Sequence, residues 1–244
     1  MERLYKVRQI NTDYMGFSNY CYIIVDKSSS EACIIDPAWE LNKIEYELGE
    51  LGANLTSILL THSHYDHVNL LNPLLRRFNP SVFMSKKEID YYGFKCRNLN
   101  ELDDMDAVET GKTKITCILT PGHTYGGMCY LLQDSMFTGD TIFTEGCGIC
   151  SSCGGSPKEM FKSIQKVKSI IPSHVRIYPA HSYGKEPGYT LDYLNNNNIY
   201  FLLDNEEHFV DFRMRRNQII NSDLMKAVEW FEMHRLYTLL YGAE

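Results

Sequence analysis

The sequence predicts an α/β fold in which two mixed β-sheets pack face to face and helices cover the outside. Short β-branched or apolar segments repeatedly end in a Gly or Pro turn, and segments of helical periodicity lie between groups of them. The order of strands followed by a helix occurs in each half of the chain, without a close sequence repeat. Such an order is typical of a sandwich of two sheets with flanking helices.

The first half of the chain opens with strands and then alternates between strand and helix. Apolar residues recur at helical spacing over residues 40–51, and Gly52 is a C-cap signal, so a helix is predicted there. Asn19 and residues 27–30 are predicted turns. The other predicted elements are strands at 4–10, 20–25, 31–35, 57–60 and 82–84, a helix within 68–78 and a short helix near 86–91.

The second half repeats this order. A helix is predicted over residues 157–171, because Pro157 stands in its first turn and apolar residues follow at helical spacing. After Gly188 the composition shifts, and residues 195–198 are four asparagines that could end a helix or form a turn. Residues 219–240 are predicted to be helical and to pack on the core. The predicted strands of this half are 115–119, 129–132, 136–138 and 175–178.

Composition and charge exclude some classes of protein. The 244 residues suffice for one α/β domain with an appendage, and the hydrophobic content of 44% is ordinary for a soluble protein. The formal charge of -7 argues against nucleic-acid binding, which needs a basic groove. Arg213, Arg215 and Arg216 could still form a compact basic spot, or else the solvated face of a helix.

The sequence has no apolar segment long enough to span a membrane and no signal-peptide core, so we expect a cytoplasmic protein that binds no membrane. A reducing compartment would keep its eight cysteines free. The cysteines in apolar strand-like segments are predicted to be small core residues. These are Cys21, Cys33, Cys117 and Cys129.

Cys147, Cys150 and Cys153 have the spacing of a metal knuckle within a Gly-rich segment. Three thiols need a fourth ligand for a closed tetrahedral site, and Cys96 is the only other cysteine outside a predicted strand. A structural zinc or redox role is therefore one interpretation. The density of glycines favours the other, a flexible loop beside the substrate.

The most informative segment is Thr-His-Ser-His-Tyr-Asp-His, which directly follows the predicted strand 57–60. It places His62, His64, Asp66 and His67 within six positions. Imidazole and carboxylate are ligands of zinc and iron, and four such groups this close would repel one another without a cation. The segment therefore predicts a metal site.

Three further ligand-type residues follow predicted strand ends downstream. His123 lies in Pro-Gly-His-Thr, Asp140 in Thr-Gly-Asp-Thr and His181 in Pro-Ala-His. Each fragment alone is a weak signal, since a polar residue after a strand is usually part of a turn. Four strand ends in this order, however, predict that one sheet edge brings all of these side chains to one metal centre.

On these residues the sequence resembles the metallo-β-lactamase superfamily, and within it the glyoxalase II-like hydrolases, over about residues 5–183. The resemblance implies an αββα sandwich, and we predict a catalytic domain over residues 1–186 with a helical C-terminal extension, residues 187–244, packed on it. It also implies two zinc ions, with iron or a mixed pair as alternatives. One ion would take His62, His64 and His123, the other would take Asp66, His67 and His181, and Asp140 would bridge them.

Residues 15–22, 143–150 and 180–186 are more specifically similar to the zinc-dependent hydrolases of bacterial polyketide biosynthesis clusters, and the similarity extends into 198–201 and 212–215. This resemblance implies an acyl thioester substrate, carried by an acyl carrier protein or a similar carrier. The hypothesis is a hydrolase in which a hydroxide shared by two zinc ions attacks the thioester carbonyl, with Asp66 as ligand and orienter of that hydroxide.

Besides β-lactam and phosphodiester hydrolysis, which remain open because a fold does not fix its substrate, three alternatives remain at this point. A glyoxalase II, that is a hydroxyacylglutathione hydrolase, would use the same centre on a glutathione thioester. A mono-iron sulfur dioxygenase shares the same motif order. A non-catalytic module that binds a carrier protein is the third, although such a module need not keep every metal ligand.

The resemblance also implies two substrate contacts. Tyr183 lies where relatives place a substrate-contacting tyrosine, and it could bond a pantetheine or glutathione amide. Lys185 could bind a phosphate or carboxylate, although both residues also fit a role as surface loop residues. Glyoxalase II relatives commonly have Gly-Cys-Gly-Arg where this chain has Ile149 in place of the arginine, so the role of that arginine does not transfer.

Overall fold

The computed structural model describes residues 3–215, and within them it contains two six-stranded sheets whose neighbouring strands follow chain order. The strands of the first sheet are β1 (Tyr5–Tyr14), β2 (Phe17–Asp26), β3 (Glu31–Ile35), β4 (Asn54–Leu59), β5 (Ser81–Ser85) and β6 (Leu99–Leu102). The strands of the second are β7 (Ala107–Thr110), β8 (Thr113–Leu119), β9 (Met128–Leu131), β10 (Ser135–Gly139), β11 (Arg176–Pro179) and β12 (Tyr189–Thr190).

Both sheets are mixed. In the first sheet β1, β2 and β3 pair antiparallel, whereas β3 to β6 run parallel. In the second sheet only β10 and β11 pair parallel, and the other neighbours are antiparallel. The parallel strands matter for function, because their carboxyl ends meet at one edge of the sheet.

Helices cover the outer face of each sheet. They are α1 (Leu41–Glu50), α2 (Tyr65–Val68), α3 (Leu71–Phe78), α4 (Lys86–Tyr92), α5 (Pro157–Ile170), α6 (Leu191–Asn197), α7 (Ile199–Leu202) and α8 (Glu206–Arg213). Ile44 of α1 and Leu74 of α3 are buried with the outward-facing residues of the first sheet. Met160 and Ile164 of α5 are buried in the same way against the second.

A third apolar cluster lies between the two sheets. Tyr22 of the first sheet packs on Phe137 of the second with 5.0 Å between ring centroids, and on Tyr178 with 5.6 Å. All three clusters together give helix, sheet, sheet and helix layers. The predicted αββα sandwich is therefore confirmed.

The described part of the C-terminal segment is held by side-chain caps and by aromatic packing. Thr190, Asn198 and Asn205 each accept a backbone N–H in the first turn of α6, α7 and α8. Tyr200 and Phe209 are buried in the cluster that also contains the apolar face of α5. The asparagine run thus ends α6 and starts α7. The predicted helix over 219–240 lies outside the described residues.

Some sequence-based assignments differ from the structure. Asn19 was predicted as a turn but lies inside β2, because the hairpin turns at Met15 and Gly16, both with positive φ. The short strands β6 and β7 escaped prediction, since their sequences are polar or mixed. The four cysteines predicted to lie in the core are buried. No helix of residues 3–215 is both long and apolar enough to traverse a lipid bilayer.

Candidate metal centre

All seven predicted ligands lie at one edge of the sandwich, after the carboxyl ends of strands. β4 leads into the segment with His62 and His64, and Asp66 and His67 follow within the first turn of α2. The other three side chains follow β8, β10 and β11. These are His123, Asp140 and His181, each placed one to four residues beyond its strand.

His62, His64 and His123 form one group whose ring nitrogens converge. His64 Nδ1 lies 3.0 Å from His62 Nε2 and 3.0 Å from His123 Nε2. Burial lowers the pKa of His62 and His123, and it lowers that of His64 to about 4. These imidazoles are therefore neutral at neutral pH, which is the form that binds a metal.

Asp66, His67 and His181 form the second group. Asp66 Oδ2 lies 3.4 Å from His67 Nε2 and 3.3 Å from His181 Nε2. Burial favours the neutral form of His181, but Asp140 and Asp66 outweigh it and raise the pKa of His181 to about 9. The carboxylates thus make this group attractive to a cation.

Asp140 faces both groups. Its Oδ1 lies 3.4 Å from His181 Nε2 and 3.6 Å from His67 Nε2, and its Oδ2 lies 3.6 Å from His123 Nε2. Among the described residues no hydrogen-bond partner reaches the buried atoms Asp140 Oδ1 and His67 Nε2. Buried polar atoms without partners are costly, so a bound cation is the natural complement. The donor set fits a pair of metal ions.

Outer partners fix the orientation of four of the five imidazoles. His123 Nδ1 donates to the Ile149 carbonyl at 2.7 Å, and His181 Nδ1 donates to the Ser18 carbonyl at 2.8 Å. His67 Nδ1 bonds the Asp36 carboxylate at 2.9 Å. His62 Nδ1 lies 3.0 Å from Thr61 Oγ1. Each of these contacts leaves Nε2 to face the cluster, an arrangement common among metal-ligating histidines.

Asp36 is a functional residue that the sequence analysis missed. Its Oδ1 accepts from Thr61 N at 2.8 Å and its Oδ2 from Thr61 Oγ1 at 2.6 Å, in addition to the bond with His67. Asp36 also lies close enough to His62 and His67 for a third ligand-type grouping, but its oxygens already accept these bonds. Asp36 directly follows β3, the neighbour of β4, so the strand-end rule could have found it.

Asn19 and Glu88 were missed as well. Asn19 Nδ2 donates to Asp66 Oδ2 at 3.0 Å, and its Oδ1 accepts from Trp39 Nε1 at 2.7 Å. The indole can only donate, so this bond fixes which end of the amide faces Asp66. No sequence pattern predicted this role, because Asn19 resembles a turn residue.

Glu88 joins two ligand segments. Its Oε1 accepts from Ser63 N and Ser63 Oγ at 2.9 and 2.7 Å, and its Oε2 accepts from Gly126 N at 2.9 Å. Ser63 stands between His62 and His64. The sequence Ser85-x-x-Glu88 is a capping-box pattern, and Ser85 does cap α4, but the glutamate side chain binds elsewhere.

The two predicted substrate contacts lie in the loop after β11. The Tyr183 side chain is 71% exposed, and its ring centroid lies 5.1 Å from that of Phe143 and 6.4 Å from that of His181. Lys185 Nζ lies 5.9 Å from the centroid of the Tyr189 ring. Tyr183 therefore borders the metal centre, whereas Lys185 lies over β12.

The structure bears on the cysteine segment and on the arginine spot. Cys147 and Cys150 are buried among apolar side chains, and no cysteine belongs to a ligand-type group within residues 3–215. Arg213 is only 4% exposed and donates from Nε to the Gly148 carbonyl at 2.7 Å. It is therefore part neither of a surface basic spot nor of a solvated helix face. Arg216 lies outside the described residues.

Comparison with known families agrees with this geometry. A model of the metallo-beta-lactamase superfamily matches residues 14–181. The chain belongs to the metallo-beta-lactamase superfamily. Among solved structures of similar fold, the crystal structure of ETHE1 from Myxococcus xanthus has a TM-score of 0.79 and 28% sequence identity. The match covers 87% of this chain and 91% of that chain.

Curated superfamily relatives include two with polyketide-related names. The probable polyketide biosynthesis zinc-dependent hydrolase PksB of Bacillus subtilis is 58% identical over 89% of this chain and 97% of its own length. BaeB of Bacillus velezensis, with the same description, is 55% identical over the same shares. A hydroxyacylglutathione hydrolase of Pelagibacter ubique is 37% identical over 69% of this chain and 68% of its own length.

Proposed function

We propose that this protein is a zinc-dependent hydrolase of bacterial polyketide biosynthesis that cleaves acyl thioesters held by an acyl carrier protein or a similar carrier. The observation that carries the proposal is the convergence of seven ligand-type side chains, two of which have a buried atom with no hydrogen-bond partner among the described residues. The similarity to PksB over 97% of its length supports the polyketide assignment.

Zinc ions bound here would lower the pKa of a coordinated water and polarise the thioester carbonyl. The protein would hold them with the two groups described above and with Asp140 between. Asp66 is kept in one orientation because Asn19 Nδ2 donates both to its Oδ2 and to its backbone carbonyl. A fixed carboxylate at this position can accept the proton of an attacking water.

The thiols beside the centre do not offer a competing nucleophile. Burial raises the pKa of Cys147 well above its ordinary value and raises that of Cys150 to about 11. Both thiols stay protonated at neutral pH, and the protonated thiol is a poor nucleophile. This favours direct attack by water over a covalent acyl-enzyme.

Tyr183 is proposed as a contact to the amide of the carrier arm, because its exposed ring borders His181. Lys185 is proposed to bind a phosphate or carboxylate of the same arm. If Tyr183 contributes one hydrogen bond, Tyr183→Phe should raise KM by about five- to tenfold with little change in kcat. An unchanged KM would remove this role.

The decisive experiment is a substrate panel. Metal-replete protein is incubated with the same acyl group on acyl carrier protein, coenzyme A and glutathione, and thiol release is measured. Fastest turnover on the carrier protein supports the proposal. Turnover confined to the glutathione ester would instead assign a glyoxalase II, in line with the similarity to hydroxyacylglutathione hydrolases.

Two controls separate the remaining alternatives. Metal analysis with oxygen uptake on a persulfide would reveal a mono-iron sulfur dioxygenase. Asp66→Ala should abolish hydrolysis while leaving affinity for the carrier protein intact, if docking and catalysis are separate. A wild-type protein that binds the carrier but releases no thiol from any ester would be a binding module.

A further inference from the structure

We propose that Arg213 and Asn198 are positioning residues of the metal centre. Both lie in the C-terminal segment, beyond the part of the chain that matches the superfamily model. They hold residues 143–150, here called the carbonyl loop, and this loop orients the metal ligand His123. The inference concerns metal binding and does not depend on which substrate the protein cleaves.

The carbonyl loop is tied directly to two ligands. The Ile149 carbonyl accepts the Nδ1–H of His123 at 2.7 Å, which aims Nε2 at the cluster. The Gly148 backbone packs so closely that an added Cβ would lie 2.0 Å from the Asp140 carbonyl oxygen and 3.1 Å from His123 Cβ. A displacement of this loop would therefore move His123 or Asp140 with it.

Arg213 fixes the centre of the loop. Its Nε donates to the Gly148 carbonyl at 2.7 Å, and its guanidinium carbon lies 5.8 Å from the centroid of the Tyr200 ring. A buried guanidinium is stable only when its N–H groups are hydrogen-bonded. The Gly148 carbonyl therefore stabilises the buried charge, and the guanidinium in turn holds that carbonyl in place. The contact joins residues 65 positions apart in the chain.

Asn198 fixes the beginning of the loop. Its Nδ2 donates to the Phe143 carbonyl at 3.0 Å and to the Gly146 carbonyl at 2.9 Å. Its Oδ1 accepts from Tyr200 N at 2.9 Å, and through this bond Asn198 caps the N-terminus of α7. The cap therefore sets the orientation of the amide, and the same side chain couples the start of a C-terminal helix to the loop.

The expected consequence is selective. Loss of an outer partner of a metal ligand typically lowers metal affinity by about 10- to 100-fold, and the present residues act through one further contact, so a loss of about tenfold is expected. The loss should fall on the ion held by His62, His64 and His123. The ion held by Asp66, His67 and His181 should lose less affinity, because the carbonyl loop hydrogen-bonds none of these side chains in the described structure and affects this ion mainly through the shared Asp140.

The test measures zinc binding to metal-free, full-length protein by competition with a chromophoric chelator. Arg213→Met removes the donor. Asn198→Ser keeps a cap acceptor but is too short to reach the loop carbonyls. Arg215→Met is the matched control, because Arg215 bonds the Tyr200 hydroxyl and the Phe212 carbonyl, both within the C-terminal segment. The first two variants should weaken one zinc site about tenfold, and the control should stay within about twofold.

Far-UV circular dichroism of each metal-free variant shows whether it folds. Should Arg213→Met fail to fold, Asn198→Ser carries the test by itself, with the same weakening expected. The proposal would be overturned if every folded variant bound both zinc ions with the affinities of the wild type. Equal weakening of both sites, or a loss in Arg215→Met as large as in Arg213→Met, would also overturn it, because either result indicates general loosening. The test uses no hydrolysis assay, so a negative result would leave the thioester proposal unaffected.

Discussion

Asp26 is a buried carboxylate and Asp140 a mostly buried one at the opposite edge of the sandwich, and their surroundings differ. Asp26 Oδ1 accepts from the backbone N–H and the hydroxyl of both Ser28 and Ser29, at 2.6 to 3.1 Å. Asp26 Oδ2 accepts from Lys112 N at 3.1 Å and from Thr113 Oγ1 at 2.8 Å. This carboxylate thereby joins the β2–β3 turn of one sheet to the β7–β8 turn of the other.

Asp140 has no comparable set of donors. Its Oδ1 is buried without a hydrogen-bond partner in the described structure, and its nearest polar neighbours are imidazole nitrogens of other ligand-type residues. The protein satisfies one buried carboxylate fully and leaves the other for a cation. The first arrangement stabilises the fold, whereas the second costs stability and creates a site.

The strongest challenge to this comparison is Asp140→Asn. Removal of the shared carboxylate should lower kcat by more than about 100-fold, which exceeds the usual effect of losing a residue that hydrogen-bonds a metal ligand. The amount of bound zinc should also fall below that of the wild type. The metal-free variant should lose less stability than Asp26→Asn does, because Asp140 Oδ1 accepts no hydrogen bond in the described structure and its imidazole neighbours lie 3.4 to 3.6 Å away. Thiol release, metal analysis and urea denaturation check the three parts. A metal-free variant as destabilised as Asp26→Asn would contradict the contrast with Asp26.

Asp26→Asn should have the opposite signature. An amide cannot accept all six donors, so the free energy of unfolding should fall by about 3 kcal/mol in urea denaturation, with or without zinc. Zinc affinity of the folded variant should not change. Asp106→Asn is the control, since that carboxylate accepts a single exposed bond from Asp103 N, and a loss below about 1 kcal/mol is expected.

Asp26 also predicts how the stability of the protein changes at acidic pH. Burial alone would raise the pKa of Asp26, but the bonds from Ser28, Thr113 and Ser29 hold it far below its ordinary value. A lowered folded-state pKa adds stability above the unfolded value of about 4 and loses it as the pH falls below that value. Metal-free wild type should therefore lose stability below about pH 4 more steeply than Asp26→Asn. Parallel pH profiles would count against this reading.

Glu88→Gln tests a carboxylate intermediate between these extremes. Burial raises the pKa of Glu88, although three donors from Ser63 and Gly126 bind it. A glutamine would direct its NH2 at one of these donors and loosen one ligand segment, so zinc affinity should fall by about tenfold or less. Glu101→Gln removes only an exposed ion pair with Lys86 and should change neither affinity nor stability measurably.

The sequence sufficed to predict the fold and to predict which seven side chains converge at one sheet edge. Ligands such as His62 and Asp140 follow buried strands, and strand ends are readable from periodicity and from Gly and Pro turns. The αββα layers followed from the same pattern. In each of these segments, the neighbouring residues in the sequence determine the backbone geometry.

The residues that hold the ligands in place were not readable. Arg213 lies 65 positions from the carbonyl it binds, and its sequence neighbours suggested a charged surface. Asn19 looked like a turn because the positive φ of the hairpin falls at Met15 and Gly16 instead. Such roles depend on partners brought together only by tertiary packing. Tyr183 and Lys185 stay predictions, because their partner is the substrate.

Two of the acceptors that orient the imidazoles are main-chain atoms, the carbonyl oxygens of Ser18 and Ile149. A point mutation can exchange either side chain without deleting the oxygen that the histidine needs. These two positions can therefore drift during divergence while the centre stays intact. An exchange of the Ile149 side chain, for example, leaves in place the carbonyl that accepts from His123.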